Sequence, residues 1–270
     1  MSSDGRYVVG NSYHQLTGST ARPSQAYIAD TQTGSFINLS SDPEANLVSR
    51  ANAVSRDGSV VVGQSNSTRG TIWKRQADGS YQRSELHLDG STSALNPTTA
   101  VSDNGLWATG QGSTSPLTTD GPYLVNVATG SVTNITKLPN QFGDRALATP
   151  SAISNDGQTI IGTHQVGTGT FDTNLGFIWT AAGGVTSLDD YFAGYGIDLT
   201  NHYNFVSPLA MSDDAMTFTG IALDNLTGGQ VGFVVSLTAA VPEPGSYALL
   251  IAGLAAVGMV VRRRHDAKSA

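Results

Sequence analysis

The chain has 270 residues, 31 of them glycine, with 13% charged side chains and a formal net charge of −7. No basic stripe exists to neutralise phosphates, which excludes nucleic acid as a partner, and the absence of cysteine excludes disulfides, thiolate metal sites and a cysteine nucleophile. Four of the 14 basic residues (Arg262, Arg263, Arg264 and Lys268) crowd the C-terminus, so the preceding body is more acidic than the whole.

Five variants of one stretch run along that body. They are Ser3–Gly10 (SDGRYVVG), Val54–Gly63 (VSRDGSVVVG), Val101–Gly110 (VSDNGLWATG), Ile153–Gly162 (ISNDGQTIIG) and Met211–Gly220 (MSDDAMTFTG). Asp4-Gly5, Asp57-Gly58 and Asp156-Gly157, with Asn104-Gly105 as a close variant, sit between apolar runs. That is a hairpin signal, because a tight turn needs a positive φ that glycine adopts without steric cost. Asp214-Ala215 in the fifth copy lacks the glycine and is expected to make another type of turn. The run Val60-Val61-Val62 suits a strand buried on both faces. The glycine closing each copy marks a bulge or close packing. These loops lack the series of carboxylates a dedicated calcium site needs, so the motif reads as a turn device and not as a repeated cation site.

The closing glycines recur at a spacing of about 50 residues, the signature of propeller-like arrays of short antiparallel strands. Each unit reads as four strands. In the second unit a first strand at Arg50–Ser55 precedes the turn and a second at Ser59–Gln64 follows it. Third strands fall at Ala26–Asp30, Thr71–Lys74, Tyr123–Val127, Gly176–Thr180 and Gly232–Leu237, and fourth strands end near Leu39, Leu86, Ile135 and Leu188. The expected fold is therefore all-β: about five four-stranded antiparallel units, near residues 1–46, 47–95, 96–146, 147–203 and 204–240, in one repeat domain of residues 1–240. Unit one lacks its first strand and unit five its fourth. A ring closed by these leftovers, an open part of a larger ring and a solenoid all fit that pattern. The first copy also has no export signal before it, from which a chain shortened at its N-terminus is expected.

Asp189–Leu199 (DDYFAGYGIDL) breaks the strand rhythm and predicts a short helix, with Asp189 or Asp190 near its N-cap and Gly194 or Gly196 ending it. Its Tyr191, Phe192 and Tyr195 either plug a ring end or line a pocket. Residues 241–270 change character. Val241-Pro-Glu-Pro-Gly245 makes a stiff turn, Tyr247–Val261 is an unbroken apolar run, and Arg262, Arg263 and Arg264 follow. With Gly245 and Ser246 the run reaches the short edge of bilayer-spanning length, and a transmembrane helix over 246–261 is expected. The positive-inside rule keeps the arginines cytoplasmic and the repeats outside.

No catalytic signature emerges. The histidines His14, His87, His164, His202 and His265 show no metal-ligand spacing, and neither H-E-x-x-H nor G-x-S-x-G occurs. Gly167-Thr-Gly169 lacks the Lys-Ser/Thr of a phosphate loop. The pairs Asp189/Asp190 and Asp213/Asp214 are adjacent, and neighbours on a strand point to opposite faces, which misplaces them for two-carboxylate glycoside hydrolysis. Trp73, Trp107 and Trp179 recur in the strands, either as core packing or as a sugar-stacking platform. No metal or cofactor is expected.

Pro242, Glu243 and Pro244, a short apolar helix bounded by Tyr247 and Val261, and the cluster Arg262, Arg263 and Arg264 together resemble the PEP-CTERM sorting signal of Gram-negative bacteria. The resemblance implies that an exosortase, a membrane Cys transpeptidase-like enzyme, recognises Pro242–Pro244 and processes the chain nearby. The arginines would stop transfer, and the body would be released to the cell surface or an exopolysaccharide matrix. The body resembles extracellular HAF-type repeats through Ala152–Gly162 with Gly176-Phe-Ile-Trp-Thr180, through Ala51–Gly63 with Ile72-Trp73, and through Leu188–Gly220. This implies an exported β-repeat protein with no assigned chemistry. The expected function is a non-enzymatic binding or structural role, with exosortase, the membrane and extracellular polysaccharide as partners. An exported polysaccharide-active enzyme on a propeller scaffold is the alternative.

Overall fold

The computed structural model describes residues 1–13, 17–18, 20, 23–40, 48–66, 68–87, 94–112, 121–136, 148–166 and 173–237. The chain divides into two compact units, Met1–Ser236 and Leu237–Ala270. In the first, five antiparallel sheets follow one another in chain order. The first sheet holds β1 (Tyr7–Tyr13), β2 (Ser24–Asp30) and β3 (Phe36–Asn38), and the second β4 (Ser49–Val54), β5 (Val60–Ser65), β6 (Arg69–Arg75) and β7 (Tyr81–Glu85). The third holds β8 (Thr98–Val101), β9 (Trp107–Gly110), β10 (Tyr123–Asn126) and β11 (Val132–Asn134). The fourth holds β12 (Ala148–Ile153), β13 (Thr159–Val166), β14 (Thr173–Thr180) and β15 (Gly184–Ser187), and the fifth β16 (Tyr203–Met211), β17 (Thr217–Asp224) and β18 (Gln230–Ser236). Each is a simple meander. Among the described residues the first and last sheets have three strands each and remain separate, so no closed ring forms among those residues.

Strand alternation creates the core between sheets. Val61 points into a cluster with Tyr7, Ile28, Val54 and Trp73, shared by the first two sheets. Its neighbours Val60 and Val62 point the other way, into a cluster with Ile72, Leu95, Tyr123 and Val125, shared by the second and third. A third cluster joins Ala100 and Ile135 to Ile153, Ile160 and Phe177. A strand buried on both faces cannot alternate apolar with polar, which is why β5 reads as a continuous valine run.

Every first strand carries a bulge. Pairing skips Asn52 between Ala51 and Ala53, Thr99 between Thr98 and Ala100, Ser151 between Pro150 and Ala152, and Leu209 between Pro208 and Ala210. Opposite each skip lies a motif-closing glycine: Gly63 faces Ala51, Gly110 faces Thr98, Gly162 faces Pro150 and Gly220 faces Pro208. The bulge leaves a residue unpaired in the ladder and re-aims its side chain. Asn52 uses that freedom to donate to the Thr98 carbonyl of the third sheet at 2.9 Å, and Ser151 to donate to the Pro208 carbonyl of the fifth at 2.6 Å.

Helix α1 (Leu188–Ala193) is capped by Ser187, whose hydroxyl accepts from the Asp190 amide at 3.0 Å, with Asp189 and Asp190 in the first turn. Gly194 follows as C-cap. Phe192 is fully buried, with ring centroids 4.9 Å from Phe205 and 5.3 Å from Phe218, whereas Tyr195 stays exposed. The helix therefore packs onto strands of the fourth and fifth sheets.

Candidate functional site

The repeated motif builds one hydrogen-bonded turn five times. In the second unit the Ser55 hydroxyl donates to Asp57 at 2.8 Å and accepts from the Val60 amide at 3.1 Å, while Asp57 accepts from the Ser59 amide at 2.9 Å and Gly58 N–H reaches the Ser55 carbonyl at 3.1 Å. Ser102 with Asn104, Ser154 with Asp156 and Ser212 with Asp214 repeat the arrangement. In the first copy the equivalent serine is Ser2, bonded to Asp4 and to the Tyr7 amide, and not Ser3. Gly5, Gly58, Gly105 and Gly157 all adopt a positive φ near +70°. The expectation of another turn at Asp214-Ala215 does not hold. Ala215 takes φ +56° and the same bonds close around it, so the Ser-Asp network imposes the conformation even on alanine.

A left-handed conformation costs a residue with a Cβ roughly 1–2 kcal/mol. Ala215→Gly should therefore raise stability by about 1 kcal/mol, less what the more flexible unfolded chain takes back. Urea denaturation checks this, and an unchanged or lower midpoint would show that Ala215 is not strained.

The remaining motif position, between serine and aspartate, holds Ser3, Arg56, Asp103, Asn155 and Asp213, and these five meet. Arg56 Nε donates to Asp103 Oδ2 at 2.5 Å, and its terminal nitrogen lies 4.0 Å from Asp213 Oδ2. Ser3 donates to Asp103. The Arg56 amide bonds the Asp103 carbonyl at 2.9 Å, the Asn155 amide bonds the Asp213 carbonyl at 3.1 Å, and Asn155 Oδ1 accepts from the Asn104 amide at 2.9 Å. One polar hub thus links turns of all five sheets. Partial desolvation at the hub, and then the neighbouring Asp103 charge, push the half-exposed Asp213 carboxyl above its ordinary range, against the lowering effect of Arg56. A raised carboxyl gives stability that is full below the unfolded value and is lost as pH rises through the folded value. Asp213→Asn should accordingly raise the thermal midpoint at neutral pH and lose that advantage below about pH 3.8. A pH series of melting curves reads it out, and equal midpoints at pH 7 would contradict the hub electrostatics.

Other carboxylates are engaged in structure. Asp189 Oδ1 accepts from the Phe205 amide at 3.1 Å, and burial pushes this carboxyl upward. Asp57, Asp156 and Asp214 sit below the usual range while holding turn amides and serine hydroxyls. Among the described residues no group of three or more acidic or histidine side chains is placed to hold a metal. Trp73 is fully buried in the first inter-sheet core, and Trp107 and Trp179 pack partly buried against the third. No tryptophan platform faces solvent.

The sorting residues Pro242, Glu243 and Pro244, the anchor ends Tyr247 and Val261, and Arg262–Arg264 lie outside the described residues. Among the described residues no helix is long and apolar enough to cross a membrane. Residues 240–264 match the PEP-CTERM protein-sorting motif, a span that takes in all three parts of the tail. No curated protein matches the chain. Among solved structures, TolB from Acinetobacter baumannii is 14% identical with a TM-score of 0.46, over 84% of this chain and 52% of that one. The tricorn protease is 13% identical with a TM-score of 0.44, over 90% and 24%. Oligogalacturonate lyase from Vibrio parahaemolyticus is 9% identical with a TM-score of 0.39, over 86% and 75%. The chain spans about half the length of TolB.

Proposed function

We propose that the protein is exported, is sorted through its tail by an exosortase, and acts at the cell surface or in an exopolysaccharide matrix as a non-enzymatic β-repeat module. The sorting motif at residues 240–264, directly behind an all-β unit, carries this reading. In it, residues 1–240 form the functional domain, with HAF-type repeats, and residues 241–270 form the processing signal, with a transmembrane helix over 246–261. The body is propeller-like: its sheets pack in chain order and the hub joins the second sheet to the fifth through Arg56 and Asp213. A binding or structural role is supported by the carboxylates of the motif turns, which are committed to turn amides, serine hydroxyls and Arg56.

The cysteine-free sequence allows a clean test of topology. Leu226→Cys, on an exposed turn, should react in intact cells with an impermeant maleimide, and Ser269→Cys should not. Labelling of Ser269→Cys alone would overturn the export reading.

A further inference from the structure

The cleft between the first and second sheets is lined by two arginines. It encloses about 280 Å³. Arg6 and Arg75 both stand at the buried ring of Tyr7, with their guanidinium carbons 4.9 and 6.0 Å from its centroid. Arg6 is occupied: it grips Asp30 Oδ2 through two nitrogens at 3.2 and 2.8 Å and holds that carboxyl down at about 2. Arg75 is less engaged. Its guanidinium donates to the Asp57 carbonyl at 3.5 Å and lies beside the Tyr81 hydroxyl, and its side chain is exposed. It therefore keeps donors for a ligand in the cleft, in a molecule whose net charge is −7.

The walls define what would sit there. Ile28 and Ile37 supply an apolar side, while Ser35 and Tyr81 bring hydroxyls. Tyr81 donates to the Gly58 carbonyl at 2.5 Å, and its oxygen, an acceptor toward Arg75, keeps a second lone pair for a ligand hydroxyl. The volume falls just under the roughly 300–1,000 Å³ typical of drug-sized pockets, and so suits one ring. A planar guanidinium with donors to spare matches a carboxylate bidentately. From the exposed Arg75 guanidinium and this lining we infer that the cleft between the first two sheets binds a ring-sized hydroxylated carboxylate, the chemistry of a sugar acid, with Arg75 gripping its carboxylate. The inference concerns the body alone and stands apart from the sorting of the tail.

Calorimetric titration of the full chain in detergent tests it. Glucuronate should bind in the millimolar range, glucose should give no saturable heat, and inorganic phosphate should bind more weakly than glucuronate. Arg75→Gln should weaken glucuronate binding about tenfold or more, as for loss of a charge-assisted contact. Ser35→Trp, which fills the cleft from its other side, should do the same without touching a charge. Undiminished binding by either folded variant, phosphate binding as tight as glucuronate, or no binding by the unmodified chain would each overturn the assignment.

Discussion

Replacing Gly63 by alanine is expected to destabilise the body by about 3 kcal/mol, the upper end of what forced overpacking costs. A Cβ at this position would lie 2.0 Å from the Arg50 carbonyl oxygen and 2.9 Å from the Ala51 Cα. Both obstacles are backbone. β5 is paired on one edge with β4 and on the other with β6, so neither the glycine nor its obstruction can retreat without breaking a ladder. The bulge at Asn52 brings the two chains this close, and the same approach recurs at Gly162 and Gly220, at 2.4 and 2.3 Å from a carbonyl oxygen. Gly79→Ala is the control: it lies at φ +85° in open space, so only the conformational cost of roughly 1–2 kcal/mol applies. Urea denaturation should order the two variants accordingly. An unchanged midpoint for Gly63→Ala would mean that the bulge is not the fixed feature described.

Replacing Pro242, Glu243 and Pro244 together by alanine is expected to move the protein from the released to the membrane fraction in a host that carries an exosortase. The change leaves the apolar run Tyr247–Val261 and the three arginines in place, so insertion is preserved. In the proposed topology an apolar run of this kind leaves a bilayer only when the chain is cut, since each buried side chain would otherwise return to water at a cost of roughly 1.5–3 kcal/mol. In that reading, recognition and anchoring are separable in the sequence. Quantitative blotting of cell fractions reads the result, and unchanged release would show that these three residues are not what the processing enzyme recognises.

The all-β class was legible because its causes are local. Val60-Val61-Val62 is apolar throughout because both faces of β5 are covered, and Asp57-Gly58 turns because Ser55 and Asp57 saturate the loop amides. The three-stranded first and last sheets were also legible, since only three strand-like runs could be read in each of those units. The hub was not. Arg56, Asp103 and Asp213 occupy a motif position that varies between copies, and nothing local pairs residues so distant in sequence. Reading Ser3 as the first motif serine hid Ser2, because two adjacent serines are equivalent until the bonds to Asp4 and Tyr7 distinguish them. Ala215 misled for a physical reason too: propensity argues against a left-handed alanine, and the surrounding network overrides it. The cleft at Arg75 has no signal at all in the sequence, since it depends on Arg6 and Asp30 neutralising each other across two strands. Conversely, the tail was readable through its resemblance to a known sorting signal, carried by three distinct blocks in fixed order, and residues 240–264 match that motif.

The central claim is that the body is freed by processing of its tail. The intact mass of the surface or released protein, taken from an exosortase-bearing host, tests it most directly. A mature form ending near Pro242–Pro244, without Tyr247–Val261 or Arg262–Arg264, is expected. A released form that still carries those three arginines would contradict it.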